Sequence, residues 1–254
     1  IPYACDFQVH VPPDWRDGPS GKSQEDYLRD DFLPRVFASG RHVIGVPQHN
    51  GIAADGGAKY VRDLARQLRS DGRSDIPIVF PGYELTSADQ LQVILLAGPD
   101  ENESRELDIR IHQSLRLGEN GKKWHESALS MENLLIEARE RFSNQLVRLV
   151  VAKGHKGIIE DGDAVTRNRE LYKKSLGLAD GVILGGAFSQ CHERVRRVLR
   201  GELGDYGSRR CAYLQSSDAD SFNDLTTESV SYVKLGSFTA EALRQALLNC
   251  ATFV

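Results

Sequence analysis

The chain has 254 residues, 40% hydrophobic and 27% charged, with a formal net charge of −4 at pH 7. Such a balance is ordinary for a globular domain and excludes a whole-domain electrostatic pull on nucleic acid, leaving only local basic faces. No run approaches the roughly twenty apolar residues that span a bilayer, so no membrane partner is expected.

Four cysteines (Cys5, Cys191, Cys211, Cys250) lack metal-type spacing. They read as small apolar residues of a reducing compartment, which points to the cytoplasm. The opening Ile1-Pro2-Tyr3-Ala4-Cys5-Asp6 has neither the charged nor the apolar region of a signal peptide. Without an initiator Met, it reads as trimmed from a longer chain.

The first strand is expected over Tyr3–Val11. Ser23 followed by Asp26 resembles a capping box; Tyr27, Leu28, Phe32, Leu33, Val36 and Phe37 then form an apolar stripe that ends at Gly40. A strand at His42–Val46 precedes a helix carried by Ala58, Val61, Leu64, Ala65 and Leu68, closed by Gly72. Strands Ile76–Leu85 and Leu91–Ala97 follow. The polar, turn-rich stretch Gly98–Gly121 reads as a long loop or small subdomain. Ser130 caps a third helix through Leu134, Leu135, Ala138 and Phe142, and strand Leu146–Ala152 runs into the charged loop Lys153–Asp163. Helices over Val165–Leu176, Gln190–Leu199 and Thr239–Leu248 alternate with strands Gly181–Leu184, Cys211–Gln215 and Val230–Leu235. Continuous Val, Ile and Leu runs mark strands buried on both faces. Their alternation with helices predicts one α/β domain over residues 1–254 with a largely parallel sheet, open or closed.

In such folds the positions just past strand ends form the active site. They hold His10, then Gln48 and His49, Glu84, His155, and Asp218 with Asp220. Each alone reads as an ordinary polar loop residue. Converging at one end, three imidazoles and three carboxylates imply a cation, because crowded and partly desolvated carboxylates repel one another and need partners. The mixture suits Zn²⁺, Mn²⁺ or Fe²⁺ better than Ca²⁺. Elsewhere, Gly154-His155-Lys156-Gly157 lacks the spacing of a phosphate loop, and no nucleophile elbow surrounds Ser216-Ser217. The basic run His192, Arg194, Arg196, Arg197 and Arg200 reads as a solvated helix face, with phosphate contact as the alternative.

Five segments together resemble the PHP (polymerase and histidinol phosphatase) family of metal-dependent phosphoesterases. Asp6-Phe7-Gln8-Val9-His10 resembles the family's Asp-x-His-x-His opening, and Gly45-Val46-Pro47-Gln48-His49-Asn50 its Thr-Asp-His-Asn turn. Pro81-Gly82-Tyr83-Glu84 resembles the Pro-Gly-x-Glu segment whose Glu bridges two metals. Lys153-Gly154-His155 resembles its Ala-His, and Ser217-Asp218-Ala219-Asp220 its Ser-Asp-Ala-His. The C-terminal Tyr232-Val233-Lys234 and Phe238–Leu247 are similar to PHP domains that precede an AAA- or SMC-like ATPase in bacteria. The chain departs from the family pattern at Gln8, Gln48, Gln92 and Asp220. Glutamine offers only a weak carbonyl oxygen to a cation, so each replacement weakens a metal site while keeping the pocket polar.

The resemblance implies a distorted (β/α)7 TIM-like barrel, the N-terminal part of a longer chain with an ATPase domain as partner. It implies His10, Glu84, His155, Asp218 and Asp220 as ligands of divalent metal, fewer than three ions, with His49 and Glu84 catalytic. Two functions remain open: hydrolysis of a phosphate ester or nucleic acid by a phosphatase or nuclease, and a catalytically degraded module serving as a binding or regulatory platform.

Overall fold

The structure is a computed structural model. It describes residues 1–11, 16, 18, 20–49, 57–99, 105–153, 157–158, 169–204, 212–249 and 252–253. Its strands are β1 (Tyr3–Asp6), β2 (Val43–Gln48), β3 (Ile78–Thr86), β4 (Gln92–Ala97), β5 (Leu146–Lys153), β6 (Gly181–Gly185), β7 (Tyr213–Ser216), β8 (Ser231–Val233) and β9 (Thr252–Phe253). Among the described residues they form one nine-stranded sheet in the order β7-β6-β5-β4-β3-β2-β1-β8-β9.

β1, β2 and β3 are parallel, as are β5, β6 and β7, while β4 runs antiparallel to both its neighbours. β8 and β9 add antiparallel pairs beyond β1. The expected parallel sheet is therefore interrupted at β4, for a reason of length. Only residues 87–91 separate β3 from β4, with the Ser87 hydroxyl accepting from Leu91 N at 3.1 Å. A parallel crossover needs a dozen residues or more, whereas a hairpin needs few.

The sheet curls until the chain beyond β1 meets the chain beyond β7. Val9 bridges Ala219 in parallel, His10 N donates to Ala219 O (2.8 Å), and Ala219 N donates to Gln8 O (3.3 Å). The result is a distorted TIM-like barrel.

Helices pack around it. α1 (Gln24–Tyr27), a π-helical turn (Leu28–Phe32) and α2 (Leu33–Ala38) form the first helical stretch, and the Ser23 hydroxyl caps it by accepting from Asp26 N at 3.1 Å. α3 (Ala58–Ser70), α4 (Arg105–Ser114), α5 (Met131–Phe142), α6 (Arg169–Leu178), α7 (Glu193–Leu199) and α8 (Ala240–Leu248) follow. α4 occupies the middle of the stretch 98–121, expected as a long loop or small subdomain. Its Leu107 and Ile111, with Leu115 just beyond, recur at helical spacing and are buried, a stripe masked by the polar residues around it. The charged run 153–163 and the start of the helix expected at 165 lie largely outside the described residues.

Alternation along the strands separates two cores. On β5, Val147, Leu149 and Val151 pack with Phe7, Phe80, Ile94 and Leu96 and with Leu243 and Leu247 of α8. Leu146, Val150 and Ala152 face the opposite way, against α4 to α7. Apolar residues on both faces explain the unbroken hydrophobic runs of these strands. Among the described residues, no helix is long and apolar enough to cross a membrane.

Candidate metal centre

β3 presents the central carboxylate. Tyr83 and Leu85 join the outer core and Phe80 the inner one, so the two-residue period turns Glu84 inward at the barrel mouth. Glu84 is buried at 4% exposure. Its Oε2 lies 3.7 Å from His10 Nε2 and its Oε1 lies 3.4 Å from His49 Nε2. Asp218 Oδ1 stands 3.4 Å from His10 Nε2. One ligand atom from each of His10, Glu84 and Asp218 falls within 4.8 Å of the others.

Two amides complete the shell of Glu84. Gln8 Nε2 donates to Oε2 at 3.3 Å, and Gln92 Nε2 donates to Oε1. Gln92 reaches the mouth because β4 is antiparallel: its first residue pairs with Thr86, at the end of β3. Burial acts to raise the Glu84 carboxyl. The His49 hydrogen bond, the charges of His10 and His49 and the Gln8 amide outweigh it and hold the carboxyl below its ordinary value.

Asp218 comes from the turn after β7, where it adopts φ +51°, a left-handed conformation that Asp tolerates better than most residues. That turn is anchored from below. Ser217 donates to Asp6 through its backbone N (3.1 Å to Oδ1) and its hydroxyl (2.6 Å to Oδ2). Arg41 Nε donates to Asp6 Oδ2 at 2.7 Å, and Arg41 Nη2 donates to the Thr226 carbonyl at 2.9 Å. Asp6 and Arg41 are both fully buried. This buttress carries the Asp218 turn and was not foreseen; an Arg directly before a strand gives no sign of its partner.

Of the expected site residues, the structure brings together His10, His49, Glu84 and Asp218. It places Asp220 in an ion pair with Arg16, which also pairs with Asp224 at 2.9 Å, outside the group within ligand reach. His155 lies outside the described residues. Gln48 is buried and stands opposite Tyr83 across the β2–β3 ladder, so it shares the outward face of Tyr83, not that of Glu84. One residue at the mouth was missed. The His125 ring lies 4.5 Å from that of His49, centroid to centroid, although 41 positions separate it from Glu84 in the chain.

The donor set fits a divalent cation. Two carboxylates and an imidazole converge. Among the described residues the ion-pair partners of Glu84 and Asp218 are imidazoles, with no Lys or Arg against either carboxylate. A cation would add to the compensation that the imidazoles and amides already give the buried Glu84, and would bring Asp218 into the same charge balance.

No protein-family model matches the chain, and no curated protein is similar to it in sequence. Solved structures are similar in fold. The lesion-specific endonuclease Q from Pyrococcus furiosus aligns over 98% of this chain with TM-score 0.56 and 10% identity. PsfC from Pseudomonas syringae aligns over 97% of this chain and 89% of its own, with TM-score 0.56 and 14% identity. A two-domain protein from Bacteroides vulgatus containing a predicted PHP-like metal-dependent phosphoesterase aligns over 99% of this chain, with TM-score 0.50 and 14% identity. The chain spans 56% of the length of endonuclease Q and 64% of that of the two-domain protein. At these identities the likeness is one of architecture: the chain has the barrel fold that these proteins share.

Proposed function

We propose that the chain is a metal-dependent phosphoesterase of PHP type, acting on a phosphate ester with nucleic acid among its substrates. The observation that carries this is Glu84: buried, held below its ordinary pKa, with His10 at one oxygen and His49 at the other, and within ligand reach of Asp218. His10, Glu84 and Asp218 would hold the divalent metal, Mn, Zn or Fe. When bound, that metal would supply Lewis acidity, polarising a phosphoryl group and offsetting the charge that builds on its oxygens.

The remaining work falls to the chain. Glu84 accepts from His49 and orients its ring. The half-exposed His49 imidazole is placed to give a proton to the departing oxygen. Gln8 and Gln92 keep Glu84 from turning away. In this reading His155, two positions after β5 in the sequence, would be a further ligand, and Asp220 would enter the metal shell only by leaving Arg16. Among the neighbours, endonuclease Q has been seen in complex with a duplex carrying an abasic lesion at its active site, which supports a nucleic-acid substrate here.

A second reading has its own observation. The amides of Gln8 and Gln92 already satisfy Glu84, an arrangement that also suits a module that binds without hydrolysing. Metal content and hydrolysis separate the two. Protein purified without chelator should carry transition metal and cleave a phosphodiester in Mn²⁺. Glu84→Gln should lower that rate by several orders of magnitude while the protein stays folded. Metal-free wild type, inert with every divalent ion on mono- and diesters, would leave the binding module.

A further inference from the structure

The segment Lys122-Lys123-Trp124-His125 sets two cations directly before two aromatic rings. It is built onto the barrel mouth by backbone. Glu126 bridges Thr86, Thr86 N donates to His125 O (2.9 Å), and Ser127 N donates to Thr86 O (2.8 Å). Thr86 is two residues beyond Glu84 on β3, so the strip lies along the rim of the candidate metal centre. A second ladder, with Gly118 N donating to Glu126 O (3.0 Å) and Ala128 N to Arg116 O (3.0 Å), holds its other side.

Neighbouring residues on this strip have different surroundings. The ring of His125 stacks on His49, whose own Nε2 is 3.4 Å from Glu84. Trp124 rests one face of its indole on the His112 ring, centroids 4.2 Å apart, yet keeps 56% exposure. Gly118, at φ +69°, leaves room for it: a Cβ there would stand 3.2 Å from Trp124 Cε3. The indole is held against His112 while more than half of Trp124 stays exposed, which leaves it a preformed platform for a flat partner. Lys123 beside it is exposed, and Lys122 is tied through Nζ to the Ser127 carbonyl at 2.8 Å.

We infer that this strip is a docking rim for single-stranded nucleic acid. An unpaired base stacks on the open face of Trp124, a backbone phosphate meets Lys123, and His125 lies against the phosphate that His49 serves. A base still paired in a duplex cannot offer its face to an indole, so the occupant is a strand or a flipped nucleotide. The inference rests on the phosphoesterase reading, and it names that site's substrate class.

Binding separates the two. A short fluorescein-labelled single strand, titrated in anisotropy, should bind Trp124→Ala about tenfold more weakly than wild type, the loss of one base stack. Trp124→Phe should recover part of the loss. A deoxyribose-phosphate oligomer without bases should bind all three proteins alike. Should Trp124→Ala fail to fold, the wild-type indole reports instead: in a Trp15→Phe background, whose one remaining tryptophan is Trp124, the strand should quench the emission and the base-free oligomer should not. Equal affinities for wild type and Trp124→Ala, an equal loss on the base-free oligomer, or unquenched emission would overturn the rim. Base-dependent binding through Trp124 in a protein that hydrolyses no phosphodiester would count against the phosphoesterase reading and leave the rim standing.

Discussion

Asp6 shows how much of a candidate site can depend on a residue that never touches it. Its carboxylate is fully buried and accepts from Arg41, from the Ser217 amide and from the Ser217 hydroxyl; burial still pushes its carboxyl above the ordinary value, and these partners oppose that rise. Removing one partner leaves the other charge buried and unpaired. Arg41→Met is therefore expected to cost about 3–5 kcal/mol of stability in urea titration. Asp6→Asn should loosen the Asp218 turn as well, so metal affinity should fall with stability. A variant that lost stability and bound Mn²⁺ as wild type would show that the turn holds itself. Cys5, next to it, supplies a simpler test of the core. Burial pushes its thiol far above the ordinary range, against the Val233 backbone hydrogen bond that lowers it. Since the thiolate is the reactive form, Cys5 should stay unalkylated by iodoacetamide in native protein at neutral pH and label fully in denaturant, as peptide mapping would read.

At the scale of elements, two glycines of the barrel wall are set by backbone proximity. A Cβ on Gly45 would lie 2.7 Å from Phe7 O and 2.8 Å from Phe7 Cα. One on Gly82 would press on Leu95 O and lie 2.7 Å from Leu96 Cδ2. Carbonyls and Cα atoms of paired strands cannot step aside, so Gly45→Ala and Gly82→Ala should each cost at least about 1–3 kcal/mol in thermal denaturation. Gly177, in the last turn of α6 with nothing within 4 Å of its would-be Cβ, should behave oppositely and gain up to about 1 kcal/mol as Ala. These contrasts follow from tertiary approach and are invisible in sequence, where all three are simply Gly. The strands themselves were legible because apolar runs on β3 to β6 reflect burial on both faces. Their direction was not, since such a run reads alike either way; the brevity of residues 87–91 was the available signal for the β4 hairpin. The strand-end rule picked out His10, His49, Glu84 and Asp218, which converge because residues at or just past strand ends project to the barrel mouth. The contact of Asp220 with Arg16 and of His125 with His49 depends on which way a turn and a distant loop fold back, and no local pattern encodes that.

For the whole molecule, the position of the candidate ligands matters as much as their chemistry. His10 follows β1, Glu84 lies two residues before the end of β3 and Asp218 follows β7, while β7 stands at one end of the sheet order and β1 near the other. The barrel closes between them through the Val9–Ala219 bridge and its flanking hydrogen bonds. A cation shared by His10 and Asp218 would therefore staple the seam, so binding should appear as stability of the entire barrel. A ligand bound by the folded state alone adds RT ln(1 + [L]/Kd), about 2.7 kcal/mol at a hundredfold excess over Kd. For a chain of this size that is a rise in Tm of roughly 5–10 °C. Mn²⁺ should produce that rise in wild type and much less in His10→Ala or Asp218→Asn. Asp220→Asn should keep it, because Asp220 spends its charge on Arg16. Hydrogen exchange would locate the effect: the amides of His10 and Ala219, which donate across the seam, should gain protection with metal well beyond that of the β5–β6 ladder. A Tm shift of equal size in wild type and Asp218→Asn, or protection spread evenly over the sheet, would place the cation somewhere other than the seam.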